Sequence, residues 1–128
     1  MKSIRQAIQP MVLLCGSNPV LAGQVSRHLA RRGLRVRRAP FGPLDATTVR
    51  PGEAFDLVVA GFDTAEPELW HRAVSLRTTF PYVPLMLLSY ARPRATELER
   101  LDPCVYLRMP PDSDELSAAL DGLGMSAI

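Results

Sequence analysis

Cysteines and histidines are the residues of this sequence that most readily do nucleophilic, acid–base or metal chemistry. Cys15 and Cys104 are its two cysteines, and neither has another cysteine or a histidine at the spacing of a metal site. His28 and His71 fall on predicted helix surfaces without an acidic or cysteine partner at a useful spacing. The sequence therefore predicts buried, reduced thiols and solvated histidines, with no bound metal or cofactor.

Arginines make up almost all of the basic residues. Lys2 is the only lysine, which excludes chemistry that needs a lysine in the core. One short window could attract phosphate groups, and it holds Arg27, Arg31, Arg32, Arg35, Arg37 and Arg38. However, the net charge is only +2, and no aromatic side chains alternate with these arginines to stack on bases. We therefore expect a solvated helix face rather than a nucleic-acid site.

The composition indicates one folded domain without a membrane segment. Of 128 residues, 47% are hydrophobic and 22% are charged, a balance that disfavours intrinsic disorder. The longest apolar runs, such as residues 83–88, are far shorter than the ~18 residues of a membrane-spanning helix. The apolar stretch 11–15 is also too short for the core of a signal peptide. We expect a cytoplasmic protein.

Apolar runs typical of buried strands alternate with amphipathic stretches along the chain. The predicted strands cover residues 11–15, 34–38, 55–60, 83–89 and 104–108, and the predicted helices cover residues 20–32, 44–49, 67–79, 93–101 and 112–123. Asn18 can cap the first helix, and Asp112 with Glu115 can cap the last. The alternation predicts the α/β class: a doubly wound, five-stranded open parallel sheet with helices on both faces. We expect an N-terminal extension (1–10), one domain (11–124) and a short tail (125–128).

In such folds, ligands and chemistry collect at the carboxyl ends of the strands. Here these ends resemble those of the receiver domain of bacterial two-component response regulators. Asn18 and Pro19 stand where that family has an acidic cluster followed by proline, and residues 55–59 resemble the strand that leads to the phospho-acceptor. The resemblance covers residues 11–124 and implies a CheY-like, flavodoxin-like fold with strand order 2-1-3-4-5.

The fourth and fifth predicted strands carry the rest of the resemblance. Residues 83–89 are similar to the family's fourth strand and place Ser89 at the position of its switch hydroxyl. Residues 106–110 are similar to the fifth strand, with Tyr106 at the switch aromatic position. Pro110 stands at a proline that typically follows a cis peptide bond. Ser89 and Tyr106 could form a two-state switch, or Ser89 could satisfy backbone groups while Tyr106 keeps its hydroxyl in water.

The charged positions of the family are all replaced. Gly61 stands at the phospho-acceptor aspartate, Gly16 and Ser17 at the acidic pair that holds Mg²⁺, and Met109 at the lysine that neutralises the phosphoryl charge. Phosphoryl transfer depends on positioning and electrostatic stabilisation, which this set of residues does not supply. The resemblance therefore implies a degenerate pseudo-receiver that is not an enzyme and binds no Mg²⁺.

Two nearby carboxylates, Asp56 and Asp63, are the only candidates to replace the missing acceptor. A shift of two residues would keep a strand side chain on the same face. Without Mg²⁺, however, either carboxylate would repel an incoming phosphate. We expect neither to take over the reaction.

Two functions follow from the resemblance. The first is a phosphorylation-independent signalling module that binds a partner protein or itself through the predicted fourth helix, fifth strand and fifth helix. This surface includes Arg94, Glu97, Leu98, Tyr106 and Arg108. The alternative is a small-molecule site in the emptied pocket between Gly16, Ser17, Gly61, Ser89 and Met109. Dinucleotide binding is disfavoured because Gly16 and Gly23 do not make the fingerprint spacing.

Overall fold

Five parallel strands form one sheet in the computed structural model, which describes residues 9–16, 19–40, 54–62, 66–90 and 92–125. The strands are β1 (Met11–Gly16), β2 (Arg35–Pro40), β3 (Leu57–Phe62), β4 (Leu85–Ser89) and β5 (Cys104–Arg108). Their order in the sheet is β2-β1-β3-β4-β5, with every neighbouring pair parallel. This confirms the predicted fold class and strand order.

Four helices are present in the described ranges of the chain. They are α1 (Pro19–Arg31), α2 (Glu66–Thr79), α3 (Ala95–Arg100) and α4 (Ser113–Gly122). The predicted helix at residues 44–49 and the predicted cap at Asn18 lie outside the described residues. The cap of α4 is as predicted: the Asp112 carboxylate accepts a hydrogen bond from the Glu115 amide at 2.7 Å, and the Asp112 amide donates to the Glu115 carboxylate at 3.4 Å.

Four strands differ by one or two residues from their predicted bounds, and β1 ends at Gly16 rather than at residue 15. β3 begins at Leu57 rather than at residue 55, and β2 runs on to Pro40. β4 begins at Leu85 because Val83 belongs to the preceding turn, where its amide donates to the Phe80 carbonyl at 3.4 Å. Strand ends are set by hydrogen bonds to neighbouring strands, which a hydrophobic pattern does not reveal.

Alternate side chains of each strand pack into two separate core layers. On one face, Leu13 and Cys15 belong to a cluster that includes Ala73 and Leu76 of α2 and Leu101 after α3. On the other face, Val12 and Leu14 belong to a cluster with residues of α1 and α4, which are Ala22, Val25, Leu29, Leu116 and Leu120. The period of two along a strand explains this division. Helices therefore cover both faces, as predicted.

The edge at which the strands begin, called here the amino edge, is held by Arg77 near the end of α2. Its guanidinium donates hydrogen bonds of 2.6 to 3.1 Å to the carbonyls of Phe80, Pro81, Val83, Leu101 and Pro103. The first three carbonyls follow α2, and the other two precede β5. One side chain thus joins the turn before β4 to the loop before β5, and this contact was not anticipated from the sequence.

No helix in the described part of the chain combines the length and the apolar character needed to cross a membrane.

Candidate functional site

The opposite edge, called here the carboxyl edge, brings together most of the residues singled out in the sequence. Gly16 at the end of β1 lies in register with Gly61 of β3. Ser89 at the end of β4 lies in register with Arg108 of β5, one residue before Met109. Ser17 and Asp63 lie outside the described residues. The parallel register therefore places Gly16, Gly61, Ser89 and Met109 at one edge.

Both glycines occupy positions where a side chain could begin without a clash. A Cβ on Gly61 would lie 3.9 Å from the Cys15 carbonyl oxygen and 3.9 Å from Leu21 Cδ2, and a Cβ on Gly16 would lie 3.9 Å from the Gly61 carbonyl oxygen. Neither glycine has a positive φ. The backbone therefore does not require glycine at either position, and an alanine-sized side chain fits at both.

A small apolar cavity lies beside these glycines. Its volume is about 10 Å³, and Leu21, Leu88 and Met109 line it together with both glycines. A volume of this size holds at most about one water molecule. None of its lining residues is charged. Within the described residues, no three histidine, cysteine, aspartate or glutamate side chains lie close enough to hold a metal ion.

Ser89 and Tyr106 are linked through the backbone of Ser89. The Tyr106 hydroxyl donates to the Ser89 carbonyl oxygen at 3.0 Å, and the Met109 amide donates to the same oxygen at 3.0 Å. Ser89 is fully buried, and Tyr106 is half-buried against the core layer of α2 and α3. The hydroxyl of Tyr106 is therefore engaged with the end of β4, so the expectation that it stays in water is wrong.

Met109, which the resemblance aligns with the family's lysine, has a buried, apolar side chain. It is 4% exposed and belongs to the core layer of α1 and α4. The Met109–Pro110 peptide bond is cis, as the resemblance implied, and Asp102–Pro103 is a second cis bond. The cis bond before Pro110 is thus as expected, and the side chain beside it carries no charge.

Asp56 lies at the wrong edge of the sheet to replace the acceptor. It precedes β3, where its carboxylate accepts a hydrogen bond from the Met11 amide at 2.8 Å and its amide donates to the Met11 carbonyl at 2.8 Å. Gly61 lies five residues further along the strand, which corresponds to about 16 Å. The role of Asp56 is to pair the beginnings of β1 and β3.

The predicted partner surface combines exposed charges with residues that also hold the fold. Arg94 and Arg108 are exposed. Glu97 is half-buried, and its carboxylate accepts a hydrogen bond from the Arg94 amide at 2.9 Å at the start of α3. Leu98 is half-buried against the core. Arg94 and Arg108 are therefore the members of this surface that can be changed with the least effect on folding.

The two thiols are free and far apart. Three strand spacings, about 14 Å, separate β1 from β5, whereas a disulfide needs Cα atoms within about 7 Å. Burial raises the pKa of both the Cys15 and Cys104 thiols to about 12. For Cys104, the positive charge of Arg77 opposes this rise. Both cysteines thus act as small apolar residues.

One helix interface was missed in the sequence. His28 of α1 is half-buried, with Nε2 3.3 Å from Ser117 Oγ of α4, and Arg32 forms an ion pair with Asp121 at 2.5 Å. Burial lowers the pKa of His28, and the positive charges of Arg32 and Arg31 lower it further. These partners are 89 residues apart in the chain, so local spacing gives no signal for them.

Solved structures with this fold are receiver domains and related proteins. CheY4, a chemotaxis response regulator of Vibrio cholerae, has a TM-score of 0.71 and 16% identity, over 90% of this chain and 98% of that chain. A response regulator receiver protein from Sinorhizobium medicae has a TM-score of 0.69 and 23% identity, over 91% and 95%. A protein of Burkholderia thailandensis whose name refers to pilus assembly (cpaE) has a TM-score of 0.69 and 22% identity, over 91% and 98%.

These similarities concern the fold. No protein-family model and no curated protein sequence matches the chain. The structural neighbours nevertheless include several CheY-like response regulator receiver domains. The chain therefore has the fold of a CheY-like receiver domain.

Proposed function

We propose that this chain is a non-enzymatic, receiver-like signalling module that works without phosphorylation, through contact with a partner protein or with a second copy of itself. The observation that carries this proposal is the apolar carboxyl edge, where Gly16, Gly61 and Met109 surround a cavity of about 10 Å³. A phosphoryl group with its Mg²⁺ ion needs carboxylate ligands and a cation nearby. The described residues that line this cavity supply neither.

The receiver fold itself supports a role in signalling through contacts. Its neighbours include response regulators, and one similar structure has a name from pilus assembly rather than from phosphorelay signalling. A receiver fold that keeps its architecture without its charged site can still present a shaped surface. The cytoplasmic location expected from the sequence stays a prediction.

Labelling with acetyl phosphate in the presence of Mg²⁺ tests the loss of phosphorylation. The unmodified chain should incorporate no phosphoryl group, and neither should Gly61→Asp, because the metal ligands and the cation are still missing. The four changes Gly16→Asp, Ser17→Asp, Gly61→Asp and Met109→Lys are the smallest set that can restore labelling, since each electrostatic contribution depends on the others. Acid-stable, base-labile labelling of the unmodified chain would disprove the proposal and point to Asp63 as the acceptor.

The partner surface is proposed at α3, β5 and α4, and its residues are Arg94, Glu97, Leu98, Tyr106 and Arg108. Exposed charges on such a surface determine which partner binds and how fast. The double variant Arg94→Glu/Arg108→Glu should therefore weaken self-association, measured by light scattering, or capture of a partner. Arg35→Glu/Arg38→Glu is the matched control, because both arginines are exposed on β2 at the other end of the sheet. Equal effects of the two double variants would contradict this placement.

The alternative of a small molecule in the emptied pocket has less support. A cavity of about 10 Å³ among the described residues is far below the roughly 300 Å³ at which ligand pockets begin. Ser17, which was expected to contribute to this pocket, lies outside the described residues. If Gly61→Ala, which fills this space, abolished partner binding while Arg94→Glu/Arg108→Glu had no effect, the proposed partner surface would be wrong. A monomeric chain that captures no protein but carries a co-purifying small molecule would favour the alternative.

A further inference from the structure

A larger cavity lies away from the strand ends, between α1 and the beginning of α4. It is an open groove of about 330 Å³, within the size range of small-molecule sites. Residues of α1 form one wall, and Pro111, Ser113 and Leu116 form the other. The proposed function assigns no role to this groove.

The α1 wall of the groove is basic. Arg27 and Arg31 are exposed and lie four residues apart, which places them on the same face of the helix, with His28 beside them. No aspartate or glutamate lines the groove. Among the described residues, the guanidinium groups of Arg27 and Arg31 have no ion-pair partner. By contrast, Arg32, directly after this helix, is paired with Asp121 and also donates to the Met125 carbonyl at 3.2 Å.

The floor of the groove is apolar. Val25 and Leu116 are buried, Leu21 is half-buried, and Pro111 adds a further apolar surface. The groove is therefore amphipathic, with two cationic side chains at one side and hydrocarbon at its base. An inorganic ion would use only the first of these features, whereas an organic anion would use both.

We propose that this groove binds an organic phosphate, with the phosphoryl group on Arg27 and Arg31 and the organic part on Leu21 and Pro111, which keep accessible apolar surface. A guanidinium offers paired N–H donors that match two phosphate oxygens, so two such groups on one helix face favour a phosphoryl group. The proposal does not depend on the amino end of α4. Acidic residues occupy that end, and the Asp112 carboxylate already accepts from the Glu115 amide.

His28 gives a direct spectroscopic readout of this site. The positive charges near it are Arg31 at the end of its own helix and Arg32 directly after that helix. From α4, the neutral Ser117 contacts it, and Asp121, one turn further, is paired with Arg32. A phosphate bound to Arg31 would offset the positive charge that now lowers the pKa of His28. Binding should therefore raise the pKa of His28. His71, exposed on α2, is the internal reference.

The experiment follows the imidazole signals of the two histidines by NMR while AMP, ADP or inorganic pyrophosphate is added at low ionic strength. AMP and ADP should shift the imidazole signals of His28 and raise its pKa, while the signals of His71 stay unchanged. Pyrophosphate should bind more weakly than ADP. Arg27→Gln and Arg31→Gln should each weaken ADP binding roughly tenfold, the effect of losing a charge-assisted hydrogen bond. Arg100→Gln, an exposed arginine on α3, removes the same charge away from the groove and should leave binding unchanged.

Three results would overturn this inference. The first is that none of the probes shifts the imidazole NMR signals of His28 at probe concentrations of several millimolar. The second is that pyrophosphate binds as tightly as ADP, which would mean that the apolar floor takes no part. The third is that Arg100→Gln weakens ADP binding as much as Arg27→Gln. Binding would then depend on the net charge of the protein rather than on the groove.

Discussion

At the amino edge of the sheet, the guanidinium of Arg77 donates to five backbone carbonyls that belong to two separate connections. At the carboxyl edge, Gly16, Gly61 and Met109 line a small apolar space. The fold keeps a cation where backbone groups need a donor. None of the residues that line the space at the carboxyl edge is charged. The amino edge thus depends on hydrogen bonds from a cation, whereas the lining of the carboxyl edge depends on apolar packing.

The largest effect should come from removing the cation of the amino edge. Arg77→Met should lower the free energy of unfolding by about 2–4 kcal/mol, because several half-buried carbonyls lose their donor at once. Arg77→Lys should restore only a small part of the lost free energy of unfolding. An ammonium group lacks the planar set of donors with which the guanidinium reaches both connections. Urea denaturation measures the change, with Arg100→Met as the control for an exposed arginine. If Arg77→Met lowered the free energy of unfolding no more than Arg100→Met does, the hydrogen bonds of Arg77 would not stabilise the amino edge.

A smaller loss should follow when a charge is placed at the carboxyl edge. Gly61→Asp buries a carboxylate against Leu21 without a cation or metal and should cost about 2 kcal/mol at neutral pH. Gly61→Ala is the matched control and should be neutral or stabilise by about 0.5 kcal/mol, because its Cβ has room and alanine restricts the unfolded chain.

The cost of Gly61→Asp should also depend on pH. Apolar surroundings should raise the pKa of the new carboxyl group above its unfolded value of about 3.9. The loss is then complete above the raised pKa and disappears as the pH falls toward the unfolded value. Urea denaturation at pH 4 and pH 8 tests this. If Gly61→Asp were as stable as Gly61→Ala at pH 8, the edge would already contain a partner for negative charge.

The link between Tyr106 and Ser89 should contribute less. Tyr106→Phe removes one hydrogen bond to the Ser89 carbonyl, which keeps its bond from the Met109 amide, so we expect a loss of about 1 kcal/mol. Tyr82→Phe is the control, because Tyr82 is 90% exposed and should show no change. Thermal unfolding of both variants measures the difference. Equal stability of the two would mean that the Tyr106 hydroxyl is exchangeable with water.

The smallest effect is expected from thiol reagents. With pKa values of about 12, Cys15 and Cys104 are almost wholly protonated at pH 8, so a disulfide reagent should label neither thiol in the folded chain. Labelling should become complete in denaturant. Mass spectrometry without reductant should find no bond between the two cysteines, and a bond within one chain would contradict the strand order.

Much of the fold was predictable because it depends on local patterns. Three features depend only on residues that are close together in the sequence, and the structure agrees with each. They are the buried run of β1, the bounds of β5 and the capping box at Asp112. The order of the strands followed from the resemblance, which rested on Ser89, Tyr106 and Pro110 in sequence. Periodicity alone would have left several orders open.

The contacts that were missed join distant parts of the chain. The hydrogen-bond acceptors of Arg77 are backbone carbonyls. Every residue has such a carbonyl, so no residue type in the sequence identifies the partners of Arg77. The contact of His28 with Ser117 depends on the way in which α1 packs beside α4. For the same reason, the groove between these two helices could not be foreseen, although its arginines were noticed.

The arginines of β2 have a consequence for the behaviour of the protein at high concentration. Among the described strands, β2 has a neighbour on one side only, and it carries Arg35, Arg37 and Arg38. An edge strand with free hydrogen-bonding groups can add a strand from another molecule and start an aggregate. Two molecules that approached along β2 would bring their guanidinium groups together and repel each other. The arginines thereby disfavour the addition of a second β2 strand along this side of the described sheet.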